Sequence, residues 1–185
     1  MHYTIGDDRV QIEALAESLA AALGNAYVLS VKIKGFHWNV KGIEFSQYHA
    51  FFDAIFEDID GSIDPTAENI LKLGYDSPSS LTEFLALSEV TDGAMATGTD
   101  VMSMCGELLV ANEISITRLN ETYAIATACN QQGVANFVSE RVDMHQKWSW
   151  QLRATIGLQS GMKPGVIETN DNFINSNPSM VTEVL

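Results

Sequence analysis

GFHWNVKGIEFSQYHAFFDAIFEDIDGSIDPTAENI, residues 35–70, joins two helical patterns and carries an unusual set of polar side chains. Apolar residues recur every three or four positions from about Asp8 to Trp38, a range that overlaps the start of this stretch. This spacing predicts a first long helix. After a short loop that contains Gly42, a second apolar stripe runs from about Phe45 to Leu73. Because the loop is short, we expect the two helices to pack as antiparallel neighbours.

Two further long patterns follow, from about Met95 to Asn130 and from about Val134 to Ile156. Between the second and third patterns, Ser80 and Glu83 have the spacing of a capping box, which predicts a short helix. No segment shows the alternation of a β-strand. The sequence therefore predicts an all-α protein: a ferritin-like four-helix bundle with a short extra helix in the crossover between helices 2 and 3.

The 185 residues suit one domain, with the bundle at about 8–158 and an irregular tail at 159–185. Apolar residues make up 46% and charged residues 18%, as in a soluble globular protein. We find no apolar run of roughly 18 residues and no signal peptide, so we expect a cytoplasmic protein without a membrane segment. Cys105 and Cys129 lie in apolar helical patterns and are expected to be buried free thiols.

The charge of the chain is strongly negative: 24 acidic residues against 10 basic ones give a formal charge of −14. Such a surface repels DNA phosphates, so DNA binding is not expected. An acidic cleft or pore concentrates cations instead. Charge alone does not identify a function, since many cytoplasmic proteins are acidic.

Four side chains of residues 35–70 suit a transition metal. His37 and His49 lie on either side of the first interhelical loop, so antiparallel helices bring their rings together. Asp64 and Glu68 are four residues apart, which places both carboxylates on one helical face. Imidazole and carboxylate together suit Fe(II), Zn(II) or Mn(II).

Distance limits how these ligands can combine. His49 and Asp64 are 15 residues apart, and a continuous helix would separate them by roughly 22 Å. One chain cannot bring them to the same metal ion. Either a two-fold partner supplies half of the site, or the four residues share no site.

Taken singly, each residue has an ordinary structural interpretation. His37 beside Trp38 fits an aromatic corner, and His49 fits a half-buried helical residue. Asp64 before Pro65 resembles a helix N-cap with proline in the first turn, and Gly61 and Pro65 are candidates for a break or kink in the helix. Glu68 fits a solvated surface acid.

Together, the stretches KIKGFHWNVKG (32–42), YHAFFDAIFEDIDGSID (48–64) and VDMHQKWSWQLRA (142–154) resemble the Dps-like mini-ferritins. The ligand set of that family, two histidines, an aspartate and a glutamate, has spacings of 12, 15 and 4, as have the four residues here. The resemblance covers about residues 12–157. It does not cover the tail.

The resemblance implies a ferroxidase that oxidises Fe(II), preferably with hydrogen peroxide, and stores ferric oxyhydroxide in a dodecameric shell built from two-fold dimers. Each intersubunit site would hold two irons, for which zinc could substitute, using His37 and His49 of one subunit and Asp64 and Glu68 of the other. By the same resemblance, Asp53 would bind the second, weaker iron. Glu57 and Trp38 are candidates for mineral nucleation and for accepting an oxidising equivalent.

Two other classes compete with this interpretation. A DNA-compacting structural protein with secondary iron chemistry is disfavoured by the charge and by an N-terminus without a lysine-rich arm. A larger conventional ferritin builds its site inside one bundle with E-x-x-H pairs, and the sequence contains none.

Overall fold

The structure, a computed structural model, describes residues 5–93 and 100–158, with side chains from residue 9 onward. These residues form helices and connecting segments, without a strand. The helices are α1 (Ile5–Asn39), α2 (Phe45–Asp60), α3 (Ile63–Lys72), α4 (Leu81–Leu87), α5 (Val101–Ala128) and α6 (Gln132–Thr155).

Helix α1 is the centre of the bundle, since it packs against α2, α3, α4 and α5, while α5 packs against α6. Its buried side chains belong to both apolar clusters of the core; Leu29, Ile33 and Phe36 lie in one and Leu15 and Leu19 in the other. The all-α fold and the four-helix bundle are confirmed. The short crossover helix is also confirmed: the Ser80 hydroxyl accepts a hydrogen bond from the Glu83 N–H, and the Glu83 carboxylate accepts one from the Ser80 N–H.

Within the described residues, α1 is the one helix long and apolar enough to cross a membrane. Two thirds of its apolar window is buried inside the bundle. Burial against the other helices accounts for this composition, as expected for a core helix.

The second predicted helix is interrupted, which corrects the continuous span Phe45–Leu73. Helix α2 ends at Asp60, and the N–H of the next residue, Gly61, bonds back to the Glu57 carbonyl at 3.0 Å. The Ser62 hydroxyl donates to the Ile59 carbonyl at 2.6 Å, and α3 then begins. The break thus separates the histidine-bearing helix from the carboxylate-bearing one.

Of the two candidates for a kink, Gly61 lies at the break, whereas Pro65 does not interrupt α3. It lies in the first turn, where a missing N–H costs no intrahelical hydrogen bond. Asp64 is also in that turn, so the N-cap is Ser62 rather than Asp64. Gly74 ends the segment with a positive φ of 87°, which favours glycine.

Helix α5 begins at Val101, with Asp100 as its N-cap, which is later than the predicted start at Met95. Residues 94–99 and the tail at 159–185 lie outside the described residues. Cys105 is buried, and burial raises the pKa of its thiol to about 12. Cys129 is only half-buried, which corrects the expectation for that residue.

Candidate metal centre

The fold stacks the two histidines face to face. His37 lies in the last turn of α1 and His49 in the first turns of α2, so the short loop brings their ring centroids to 3.8 Å. Each ring hydrogen-bonds the backbone of the other residue. His37 Nδ1 lies 2.9 Å from the His49 carbonyl oxygen, and His49 Nδ1 lies 2.9 Å from the His37 carbonyl oxygen.

This reciprocal pair sets the tautomer of both rings. A carbonyl oxygen only accepts hydrogen bonds, so each Nδ1 carries the proton and donates it. In neutral rings the lone pairs therefore lie on the two Nε2 atoms, for which the described residues provide no hydrogen-bond donor. An imidazole oriented through Nδ1–H with a free Nε2 is the usual arrangement of a metal-binding histidine.

Asp53 lies beside this pair but already has a cationic partner. Its Oδ1 is 3.3 Å from the Lys34 Nζ and 3.5 Å from His37 Nδ1. The Lys34 ammonium also lies 4.0 Å from the centroid of the Phe56 ring. A cation that used Asp53 would have to compete with Lys34, a contact that the sequence analysis did not anticipate.

The other two predicted ligands lie apart from the histidines in this chain. Asp64 and Glu68 are both exposed on α3, and Glu68 is 3.9 Å from Lys72. Across residues 5–93 and 100–158, no group of three or more histidine, cysteine or acidic side chains is placed to hold a metal ion. The single chain thus presents an imidazole pair and, separately, a carboxylate pair.

Several large apolar side chains are exposed on α1 and α2 near the imidazole pair. Trp38 is 69% exposed, and Val31 and Phe45 are also exposed. Trp38 and Val31 line a groove between α1 and α2 together with Phe56. Large apolar side chains beside a polar site mark a surface that another molecule covers.

Comparison with known proteins identifies the family of the chain. The model of the ferritin-like domain family matches residues 16–162, most of the chain. The chain belongs to this family. Among its relatives, the DNA protection during starvation protein of Brevibacillus brevis is 31% identical over 56% of this chain and 75% of its own length.

Solved structures narrow the assignment to the Dps-like mini-ferritins. Dps from Vibrio cholerae O1, a member of a broad superfamily of ferritin-like diiron-carboxylate proteins, superposes with a TM-score of 0.76 and 26% identity. The match covers 80% of this chain and 92% of that one. Dps from Thermosynechococcus elongatus superposes with a TM-score of 0.78 and 25% identity, and the match covers 84% of this chain and 98% of that one.

Near the end of α2, this mini-ferritin contains a mostly buried ion pair that the sequence did not reveal. The Asp58 carboxylate accepts hydrogen bonds from both terminal nitrogens of Arg141, at 3.0 and 2.8 Å, and from Trp148 Nε1, at 2.7 Å. Burial alone would raise the pKa of Asp58. The hydrogen bonds from Arg141 and Trp148, with the charge of Arg141, outweigh it and hold the pKa below its usual range.

The same face of α6 contains a second buried polar contact. Asn112 donates to the His145 carbonyl and the Ser149 hydroxyl, both at 2.8 Å, so its side-chain oxygen accepts from His145 Nδ1–H at 2.6 Å. Burial, with the charge of Arg141, lowers the pKa of His145 to about 3, although Asp58 acts in the opposite direction. His145 is therefore a neutral structural residue of this mini-ferritin.

We expect His145 to make the mini-ferritin less stable in mild acid. Below about pH 6.5 the unfolded chain binds a proton on this residue, while the folded chain stays neutral down to about pH 3. The free energy of unfolding therefore falls as pH drops through this window, by up to about 1.4 kcal/mol per pH unit for one group. Urea denaturation measures the free energy of unfolding at pH 7 and at pH 5. The difference between the two values should be smaller in a His145→Gln variant than in the wild type. Equal differences in both proteins would refute the assignment.

Proposed function

We propose that this mini-ferritin is an iron-storing ferroxidase whose sites form between two subunits. His37 and His49 of one subunit bind Fe(II) together with Asp64 and Glu68 of the partner subunit. The observation that carries the proposal is the division into half-sites: two oriented imidazoles with free Nε2 atoms, and a carboxylate pair that the same chain holds elsewhere. A two-fold dimer with α2 and α3 antiparallel to the partner's would complete two equivalent sites.

The ligand types suit iron in both oxidation states. The imidazoles bind Fe(II) well, and the carboxylates accommodate the harder Fe(III) that oxidation produces. Hydrogen peroxide takes two electrons as its O–O bond breaks, so two ferrous ions, each losing one electron, match one peroxide. The protein positions the ions. Because protons compete with metal ions for imidazole nitrogen, metal loading should weaken in acid.

The second iron would use Asp53, which lies beside His37. Because Lys34 already neutralises Asp53, the second iron should bind more weakly than the first. Zinc has N/O ligand preferences close enough to occupy the same position as a substitute.

The apolar surface around Trp38 and Val31 supports a partner at this position. Repetition of the two-fold dimer would build the dodecameric shell, with ferric oxyhydroxide stored inside and Glu57 as a candidate for its nucleation. We place this shell in the cytoplasm. The charge of −14 disfavours DNA as its ligand.

The carboxylate half-site tests the proposal directly. We expect Asp64→Asn/Glu68→Gln to lower the initial rate of Fe(II) oxidation by peroxide at least about 10-fold, because neutral amides are poor ligands for the ferric product. Stopped-flow absorbance of the ferric product measures this rate. The matched control is Glu13→Gln/Glu17→Gln, which neutralises two exposed acids with the same spacing on α1. Equal rates in the two variants would contradict the proposal.

A further inference from the structure

Asp58 lies immediately before the break that separates the two helices of the metal centre. It is two residues from the end of α2 at Asp60, and Asp64 follows in the first turn of α3. The connection between the helices is only Gly61 and Ser62. The direction in which α3 leaves the break therefore depends on how firmly the end of α2 is held.

Asp58, Arg141 and Trp148, here called the Asp58 anchor, hold that end to α6. The carboxylate receives three hydrogen bonds, and the side chains of Asp58 and Arg141 are only 17% and 12% exposed. Arg141 Nε is buried and has no hydrogen-bond partner among the described residues. Both terminal nitrogens of Arg141 contact Asp58, and this bidentate geometry fixes the orientation of the two side chains. The orientation is kept although the Nε–H stays without a partner.

The anchor is attached to a rigid frame. Arg141, His145 and Trp148 follow one another along one face of α6. His145 and Ser149 bind Asn112, which lies buried on α5. The end of α2 is therefore held, through α6, to the helix pair that forms the opposite half of the bundle.

We propose that the Asp58 anchor is a positioning device for the carboxylate half-site: it fixes the end of α2, and with it the first turn of α3, so that Asp64 and Glu68 reach the partner's histidines. This inference rests on the proposed function. It assigns to Asp58, Arg141 and Trp148 an effect on metal affinity without metal contact. A ligand displaced by a loosened helix weakens binding, and loss of such supporting contacts typically weakens metal binding by about 10- to 100-fold.

The test is Co²⁺ binding by the assembled protein, followed by the visible absorption of the bound ion, combined with Fe(II) oxidation kinetics. Asp58→Asn removes the charge with little change of shape, and Trp148→Phe removes the indole N–H that Asp58 accepts from, together with part of a buried ring. We expect Asp58→Asn to bind Co²⁺ about 10-fold more weakly and to raise the KM for Fe(II) more than it lowers kcat. Trp148→Phe should show a smaller effect in the same direction.

Glu113→Gln is the matched control, because it breaks another contact between α5 and α6, the 2.8 Å ion pair with Arg153, without touching α2. Its Co²⁺ affinity should equal that of the wild type. Wild-type affinity in folded Asp58→Asn and Trp148→Phe, or an equal loss in Glu113→Gln, would overturn the inference. If Asp58→Asn does not assemble, the Co²⁺ affinity of Trp148→Phe alone tests the inference. Unchanged Co²⁺ binding in a His37→Gly/His49→Gly variant would instead refute the proposed function itself.

Discussion

Replacing His37 and His49 together by glycine is expected to lower peroxide-driven Fe(II) oxidation at least about 100-fold, since it removes both imidazole ligands at once. The two rings are held by reciprocal hydrogen bonds to each other's backbone, so the variant removes two imidazole ligands that the fold holds in a fixed orientation. The initial rate of ferric product formation in the assembled protein measures the effect.

Glycine also weakens helices, by about 1 kcal/mol per residue, and this needs a control. Asn39→Gly/Gln47→Gly places the same two glycines at exposed positions of the same two helices and leaves the imidazoles intact. We expect near-wild-type oxidation from this control. Oxidation at the wild-type rate by the histidine variant would remove the imidazole pair from the reaction.

Arg141→Leu is expected to cause the largest loss of stability among the predicted variants, about 3 kcal/mol in the free energy of unfolding. It leaves the Asp58 carboxylate mostly buried without its cation, and Trp148 alone provides a hydrogen bond. Urea denaturation with global fitting measures the change. A smaller loss in Asp58→Asn/Arg141→Leu would show that the uncompensated charge is the cause, since the amide carries none.

Arg153→Leu provides the comparison for that variant. Arg153 also pairs across α5 and α6, with Glu113, but both side chains are about 30% exposed. Water and salt weaken such a pair, and we expect a loss below about 1 kcal/mol. Equal losses in the two leucine variants would contradict the importance of the Asp58 ion pair.

Much of the fold was predictable because helix periodicity and short loops are local properties of the sequence. The apolar stripe of α1 and the capping box at Ser80 were correctly identified from spacing alone. Gly61 was a candidate for a break, but the apolar stripe continues through it, and the hydrogen bonds that define the break, such as Ser62 to Ile59, are visible only in the structure.

The candidate site was predictable to a similar extent and for a similar reason. The proximity of His37 and His49 follows from two helices and one short loop. The partners of Asp53 and Asp58 are 19 and 83 residues away in the sequence, and no local pattern pairs them. The sequence gives one indication of these buried contacts: Arg141 and His145 interrupt the apolar stripe of α6. Polar residues that are buried at such positions need hydrogen-bond partners.

The central claim is that neighbouring subunits share each site, and mixed oligomers test it most directly. One variant, His37→Gly/His49→Gly, lacks the imidazole half-site, and the other, Asp64→Asn/Glu68→Gln, lacks the carboxylate half-site. Unfolded together in equal amounts and reassembled, they should form mixed dimers in which one of the two sites has all four native ligands. With random pairing, one quarter of all sites have the four native ligands, so we predict oxidation at about one quarter of the wild-type rate, against about one tenth or less for either variant alone. No recovery in verified mixed dimers would contradict the shared site.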